Sequence, residues 1–167
     1  VNLSCWMNED EGVVITGTCG MYDLAQSLGI TTGASQAAGA STLRVSDGSK
    51  VSPGMVVLIG TEQEYIESTS TPISAVTTLS AAITDSEAQS VTLTDGSLVN
   101  VGEIVRCGVE QMKITDVNGN TAAVVRGWNR TVKSTHLVNA NVDVYRIFNV
   151  TRGVNGTTDA AHNSGVD

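Results

Sequence analysis

Aromatic side chains are scarce in this chain of 167 residues, at 4%, which leaves little material for a platform on which nucleic-acid bases could stack. Trp6, Tyr22, Tyr65, Trp128, Tyr145 and Phe148 are also scattered. Positive charge is in short supply as well. Nine Lys plus Arg face 17 Asp plus Glu, a formal charge of -8, and that balance repels a phosphate backbone. Nucleic acid is therefore not expected as a partner. Long apolar runs are missing: a stretch such as Met55–Ile59 is far short of the roughly 20 residues a membrane span needs. Val1–Gly12 has neither the basic stretch nor the apolar run of a secretory signal. The expectation is a soluble protein without a membrane partner.

Cysteine and histidine are too few for most site chemistry. Cys5, Cys19 and Cys107 show no CxxC or Cys/His spacing suited to zinc. Cys5 and Cys19 could close a small N-terminal loop; the alternative is three ordinary thiols, which an odd and unpatterned count in a reducing cytosol favours. The two histidines, His136 and His162, occupy the same place in a repeated segment. Duplication argues against a unique Ser-His-Asp site and for a structural hydrogen-bonding role.

What the chain does have is Val, Ile, Ala and Leu interleaved with Thr and Ser, a mixture that suits strands. With 17 Gly and only Pro53 and Pro72, many tight turns are available. The expected fold class is all-β, built of tandem small β-barrel or β-sandwich modules behind a short N-terminal arm. That arm has room for one short helix over Met21–Leu28, closed by Gly29.

Two internal repeats organise the rest. At an offset of 48 residues, Leu43-Arg44-Val45-Ser46-Asp47-Gly48-Ser49 returns as Val91-Thr92-Leu93-Thr94-Asp95-Gly96-Ser97. The match continues through Val51 and Val99, Gly54 and Gly102, Val57 and Val105, Gly60 and Gly108, Glu62-Gln63 and Glu110-Gln111, and Ile66 and Ile114. Asp-Gly pairs and isolated glycines read as positive-φ turns between strands. Asn118-Gly119-Asn120 before Thr121–Val125 reads as a hairpin.

At an offset of 26 residues, Arg126, Gly127, Asn129, Thr131 and His136 return as Arg152, Gly153, Asn155, Thr157 and His162. A strand is expected between these cassettes, over Asn141–Phe148. Copy one of the longer repeat carries no such cassette of its own, and the second cassette has no strand after it. The resulting division is 1–40 as arm, 41–88 and 89–148 as β modules, and 149–167 as a partial third repeat or C-terminal extension.

Catalysis requires a nucleophile with an oriented base, a metal, or paired carboxylates, and none is nominated. Glu62 and Glu110 are equivalent positions, best read as one structural carboxylate used twice, bonding backbone amides or Arg. Asp116–Asn120 lacks the Gly and Glu of a calcium loop. Gly153-Val154-Asn155-Gly156 lacks the lysine of a phosphate loop. No cofactor and no enzymatic activity are expected.

The run Val150-Thr151-Arg152-Gly153-Val154-Asn155-Gly156-Thr157-Thr158-Asp159-Ala160-Ala161-His162, with the Val-Gly-Glu, Gly-x-Glu-Gln-Met and Asn-Gly-Asn-Thr series before it, closely resembles repeats in structural proteins of tailed bacteriophages. The resemblance covers about residues 40–167. Such modules occur in head decoration, neck, tail and fibre proteins. The rhythm is also distantly similar to the small first catalytic cysteine half-domain barrel of ubiquitin-activating enzymes, a likeness of fold alone. The resemblance implies a virion component assembled in the host cytoplasm, foremost a capsid decoration or cement protein, homo-oligomeric, contacting the major capsid protein or other virion proteins. The alternative is a tail or fibre adhesin for a host glycan or surface protein. Cys5, Trp6, Met7, Trp128 and Tyr145 are the candidate partner contacts.

Overall fold

The structure, a computed structural model, describes residues 26–167. The expected helix over Met21–Leu28, the Cys5–Cys19 pairing and the contacts at Cys5, Trp6 and Met7 lie wholly or mostly outside them. Short strands joined by glycine turns produce an all-β fold, as the composition predicts. Its strands are β1 (Thr42–Arg44), β2 (Val56–Ile59), β3 (Glu62–Thr69), β4 (Ile73–Thr78), β5 (Ser90–Thr92), β6 (Ile104–Cys107), β7 (Glu110–Asn118), β8 (Thr121–Val125), β9 (Asn141–Val144) and β10 (Ile147–Thr151). They pair antiparallel in a four-stranded sheet, β1-β10-β3-β2, and a six-stranded sheet, β4-β9-β6-β7-β8-β5.

The six-stranded sheet curls until its two edges meet. Past the ends of β4 and β5, Leu79 bridges Leu93, Ser80 N–H donates to the Thr92 carbonyl and Thr94 N–H to that of Thr78. The result is a closed barrel, here barrel B. It is filled by alternate strand residues such as Leu79, Val91, Val105, Met112, Ile114, Val124, Val142 and Val144, as the two-residue period of a strand requires. The four-stranded sheet forms barrel A around Leu43, Val57, Ile59, Ile66, Phe148 and Val150. There Thr32 bridges Val45 in place of Leu79 and Leu93.

The sheets do not follow the sequential division 41–88, 89–148 and 149–167. The single strand expected over Asn141–Phe148 is two, β9 and β10, and β10, which runs across the expected boundary at 148/149, lies between β1 and β3 of barrel A. Residues of the expected arm belong to barrel A as well, since Gln36 bridges His162 and Leu28 and Ile30 pack on its core. Barrel B is thus inserted between the two halves of barrel A. The physical reason is that β1–β3 carry an apolar face that one hairpin cannot cover, and β10 supplies Phe148 and Val150 to it.

The Asp-Gly pairs also differ from the expected positive-φ turns. Asp47 and Asp95 cap short 3-10 turns at Gly48–Lys50 and Gly96–Leu98, accepting from Ser49 N–H at 2.8 Å and Ser97 N–H at 2.9 Å. Gly48 and Gly96 are needed for close approach: a Cβ would stand 2.0 Å from the Tyr145 carbonyl oxygen in one case and 2.1 Å from that of Gly119 in the other. Gly119, by contrast, has φ +57° in the expected β7–β8 hairpin.

Candidate functional site

Each barrel buries one carboxylate at the first residue of a strand. Glu62 opens β3 and Glu110 opens β7, each after a turn containing a positive-φ glycine, Gly60 or Gly108. Both glutamates are fully buried, which is costly unless every lone pair is satisfied. The cassettes do this. In barrel B, Glu110 Oε1 accepts from Arg126 Nε at 2.7 Å and Gly127 N–H at 3.2 Å; Oε2 accepts from Arg126 Nη2 at 2.7 Å and Ser134 N–H at 3.0 Å. His136 Nε2 lies 2.8 Å from Oε2, a contact that needs the proton on that nitrogen.

Barrel A repeats the arrangement atom for atom. Glu62 Oε1 accepts from Arg152 Nε at 2.7 Å and Gly153 N–H at 3.1 Å; Oε2 accepts from Arg152 Nη2 at 2.6 Å and Ala160 N–H at 3.0 Å, with His162 Nε2 at 2.8 Å. Bidentate pairing of this kind suits the planar guanidinium.

The other cassette residues shape the loop. Gly127 (φ +64°) and Gly153 (φ +60°) adopt the left-handed conformation, and Asn129 (φ +53°) and Asn155 (φ +56°) share it, a region Asn tolerates better than most residues. Asn129 Nδ2 donates to Gln111 Oε1 at 2.8 Å and Asn155 Nδ2 to Gln63 Oε1 at 2.7 Å. Thr131 and Thr157 accept from the N–H groups of Gln111 and Gln63 at 2.9 and 3.0 Å. The conserved offsets therefore fix a loop against the first two residues of the strand it covers.

These bonds set the acidity. Arg152 foremost, with backbone N–H groups and His162, holds Glu62 at a pKa of about 2 against the opposing effect of burial. Burial pushes Glu110 up, but Arg126 and His136 outweigh it and bring it to about 2. A general acid or base works best with a pKa near the operating pH, and neither carboxylate is near neutrality.

The barrels differ at a buried pair beside this cluster. Where barrel B packs Ile83 and Met112, barrel A has Gln36 and Glu64, joined through Gln36 Nε2 and Glu64 Oε2 at 3.1 Å. Burial raises the Glu64 pKa despite that bond and the Arg152 charge. Glu62, Glu64 and His162 bring three ligand atoms within 4.8 Å of one another, a spacing able to hold a metal. Arg152 already stands there, with Nε 3.0 Å from Glu64 Oε1 and Nη2 3.0 Å from Asp159 Oδ1, so the cation of this site is the arginine itself.

A further buried carboxylate joins the barrels and escaped the sequence reading. Glu103 accepts from Gly48 N–H at 2.9 Å, Asn100 N–H at 2.8 Å and Arg146 Nη2 at 2.8 Å. Its counterpart in copy one is Met55, so comparison of the repeats gives no sign of it. Trp128 and Tyr145, the candidate partner contacts among the described residues, are half-buried. They meet at a cleft of about 210 Å³ that Ser49, Thr69 and Lys113 also line. Lys113 Nζ stands 4.8 Å over the Trp128 ring, and the Tyr145 hydroxyl accepts from Gln111 Nε2 at 3.0 Å.

Fold and site together define a duplicated β-barrel protein with an internally neutralised Glu–Arg–His cluster in each barrel. No family model, curated protein or solved structure matches the chain.

Proposed function

We propose that this protein is a structural component of a bacteriophage particle, foremost a decoration or cement protein on the capsid shell. The observation that carries the reading is the use of the cassette residues: Arg126, His136, Arg152 and His162 all turn inward onto buried carboxylates. The chemistry repeated in the sequence is engaged in holding loops to barrels. Such a protein contributes shape and stability, which is what a shell component needs. Its acidic balance suits docking on a basic patch of another virion protein, and its barrel edges suit strand-to-strand contacts.

Cryo-electron microscopy of the source particle tests this. Density for the chain in a regular array over the shell is the expected result; density confined to the tail tip or fibres would overturn it. The cleft of Trp128, Tyr145 and Lys113 favours a second reading, an adhesin module, because an aromatic ring beside polar groups is a common way to hold a sugar. Glycan binding lost in Trp128→Ala would support that reading.

A further inference from the structure

Lys113 is a half-buried cation to which the fold brings no carboxylate. Arg106, Arg126, Lys133, Arg146 and Arg152 each pair with an acid. Among the described residues Arg44, Lys50, Lys113 and Arg130 enter no ion pair; Arg44, Lys50 and Arg130 are exposed, whereas Lys113 is half-buried. Its Nζ stands over the Trp128 ring, and both residues line the cleft between the barrels. A partly desolvated charge is costly unless opposite charge meets it. Yet in a chain with a formal charge of -8, no Asp or Glu is among the described residues lining this cleft. The acids beside it along the chain are engaged. Glu103, between the lining residues Gly102 and Ile104, is held by Arg146 Nη2 at 2.8 Å. Asp143, two residues before Tyr145, is held by Arg106 Nη2 at 2.7 Å.

The duplication separates what the scaffold demands from what the cleft demands. Arg, Gly, Asn, Thr and His are the same in both cassettes, and Gln111 and Gln63 accept alike from Asn129 and Asn155. At the two positions that build this wall the barrels part. Trp128 and Lys113 of barrel B correspond to Val154 and Tyr65 of barrel A. The loop around Val154 has the same left-handed Gly and Asn as the loop around Trp128. Neither the indole nor the ammonium is therefore required to shape a cassette.

The lining describes its occupant. A lone lysine calls for a single negative charge, which a carboxylate supplies and a phosphate monoester, at about -1.5 to -2, exceeds. Ser49, Ser52 and Thr69 add hydroxyls that both donate and accept. Trp128 and Phe148 add apolar surface for C–H groups. The volume of about 210 Å³ lies below the roughly 300–1,000 Å³ of a drug-sized site, which suits one sugar ring. We propose that the cleft binds a sugar unit bearing a carboxylate, of the uronic or sialic acid class, with Lys113 meeting the carboxylate and Trp128 the C–H face of the ring. This rests on the second reading above, that the cleft holds a sugar, and adds the charge of that sugar.

Titration calorimetry on the full chain tests it with probes matched in shape and differing in charge. They are methyl glucuronide against methyl glucoside, methyl galacturonide against methyl galactoside, and the methyl glycoside of N-acetylneuraminic acid against its methyl ester. At least one acid should bind about tenfold or more tighter than its neutral partner, the scale of a hydrogen bond to a charged group, and should weaken as salt rises. Lys113→Gln should remove that preference and Lys113→Arg should keep it. Trp128→Val, which installs the residue barrel A carries, should weaken acid and neutral sugar alike.

Equal affinity for the acid and neutral members of every pair would overturn the proposal and leave the sugar reading standing. Binding of none of the six would overturn both. A preference for acid that survives in Lys113→Gln would also overturn it, because the charge would then be read by another group.

Discussion

Arg152 and Glu62 meet at 2.7 Å across 90 residues of chain, while Arg126 and Glu110 make the same contact across only 16. One cassette therefore closes a local loop, and the other ties the end of the chain back to the first barrel around an inserted second barrel.

Removing Arg152 should be severe, because Glu62 and Glu64 would stay buried without their cation. Arg152→Ala is expected to lower unfolding free energy by about 3–5 kcal/mol, as for other broken buried pairs, and Arg126→Ala by a similar amount. Urea denaturation of both variants measures this. A loss below about 1 kcal/mol, the size of an exposed pair, would mean the clusters do not stabilise the barrels.

Acid should weaken the fold in a defined window. Glu62 and Glu110 have pKa values lowered from 4.5 to about 2. A depressed carboxylate contributes stability that is full above its unfolded value and disappears as pH falls through its folded value. Stability followed by thermal melts should therefore decline as pH drops from about 4.5 towards 2, and the decline should be shallower in Glu110→Gln relative to that variant's own neutral-pH value.

Glu64 should behave in the opposite sense. Its pKa is raised by burial, so its protonated form fits the fold and ionisation above its unfolded value costs stability. Gln36→Ile with Glu64→Met, the pair that barrel B uses, should stabilise the protein at pH 7 by about 1–4 kcal/mol, the gain seen when buried polar pairs become apolar. Denaturation at pH 7 and pH 4 checks it, because the gain should shrink at the lower pH.

Gly48→Ala should destabilise through a clash. The new Cβ would lie 2.0 Å from the Tyr145 carbonyl oxygen, a backbone atom that cannot swing away, and overpacking of this kind costs about 1–3 kcal/mol. Gly119→Ala meets open space but holds φ +57°, so its cost should be about 1 kcal/mol. Equal effects in calorimetry would contradict the close-approach account of Gly48.

Cys107 is fully buried, and burial, with Glu110 and Asp143 nearby, pushes its thiol up to about 11. Only the thiolate reacts. Peptide mapping after iodoacetamide should find Cys107 unmodified in the native protein at pH 7.5 and alkylated after denaturation.

Several features were written locally and could be read from residues alone. The strand-rich class follows from Val, Ile and Thr between glycines, and the β7–β8 hairpin from Asn118-Gly119. The cassettes follow from identical offsets of Arg, Gly, Asn, Thr and His, and Glu62 and Glu110 were recognisable as one structural carboxylate used twice.

Other features depend on which distant segments meet. The sequence pattern leaves copy one without a cassette, and only the pairing of β10 with β1 and β3 shows that the second cassette serves it. Glu103 and Arg146 come together between barrels at positions with no repeated partner. Gly48 was legible as a turn glycine, but the reason for it is a carbonyl 97 residues away in sequence. Sequence determined the strand content and the local turns because alternation and φ preference act between near neighbours. The nesting of the barrels was decided by tertiary structure, because burial of the first barrel's apolar face and neutralisation of Glu62 can be completed only by chain that arrives much later.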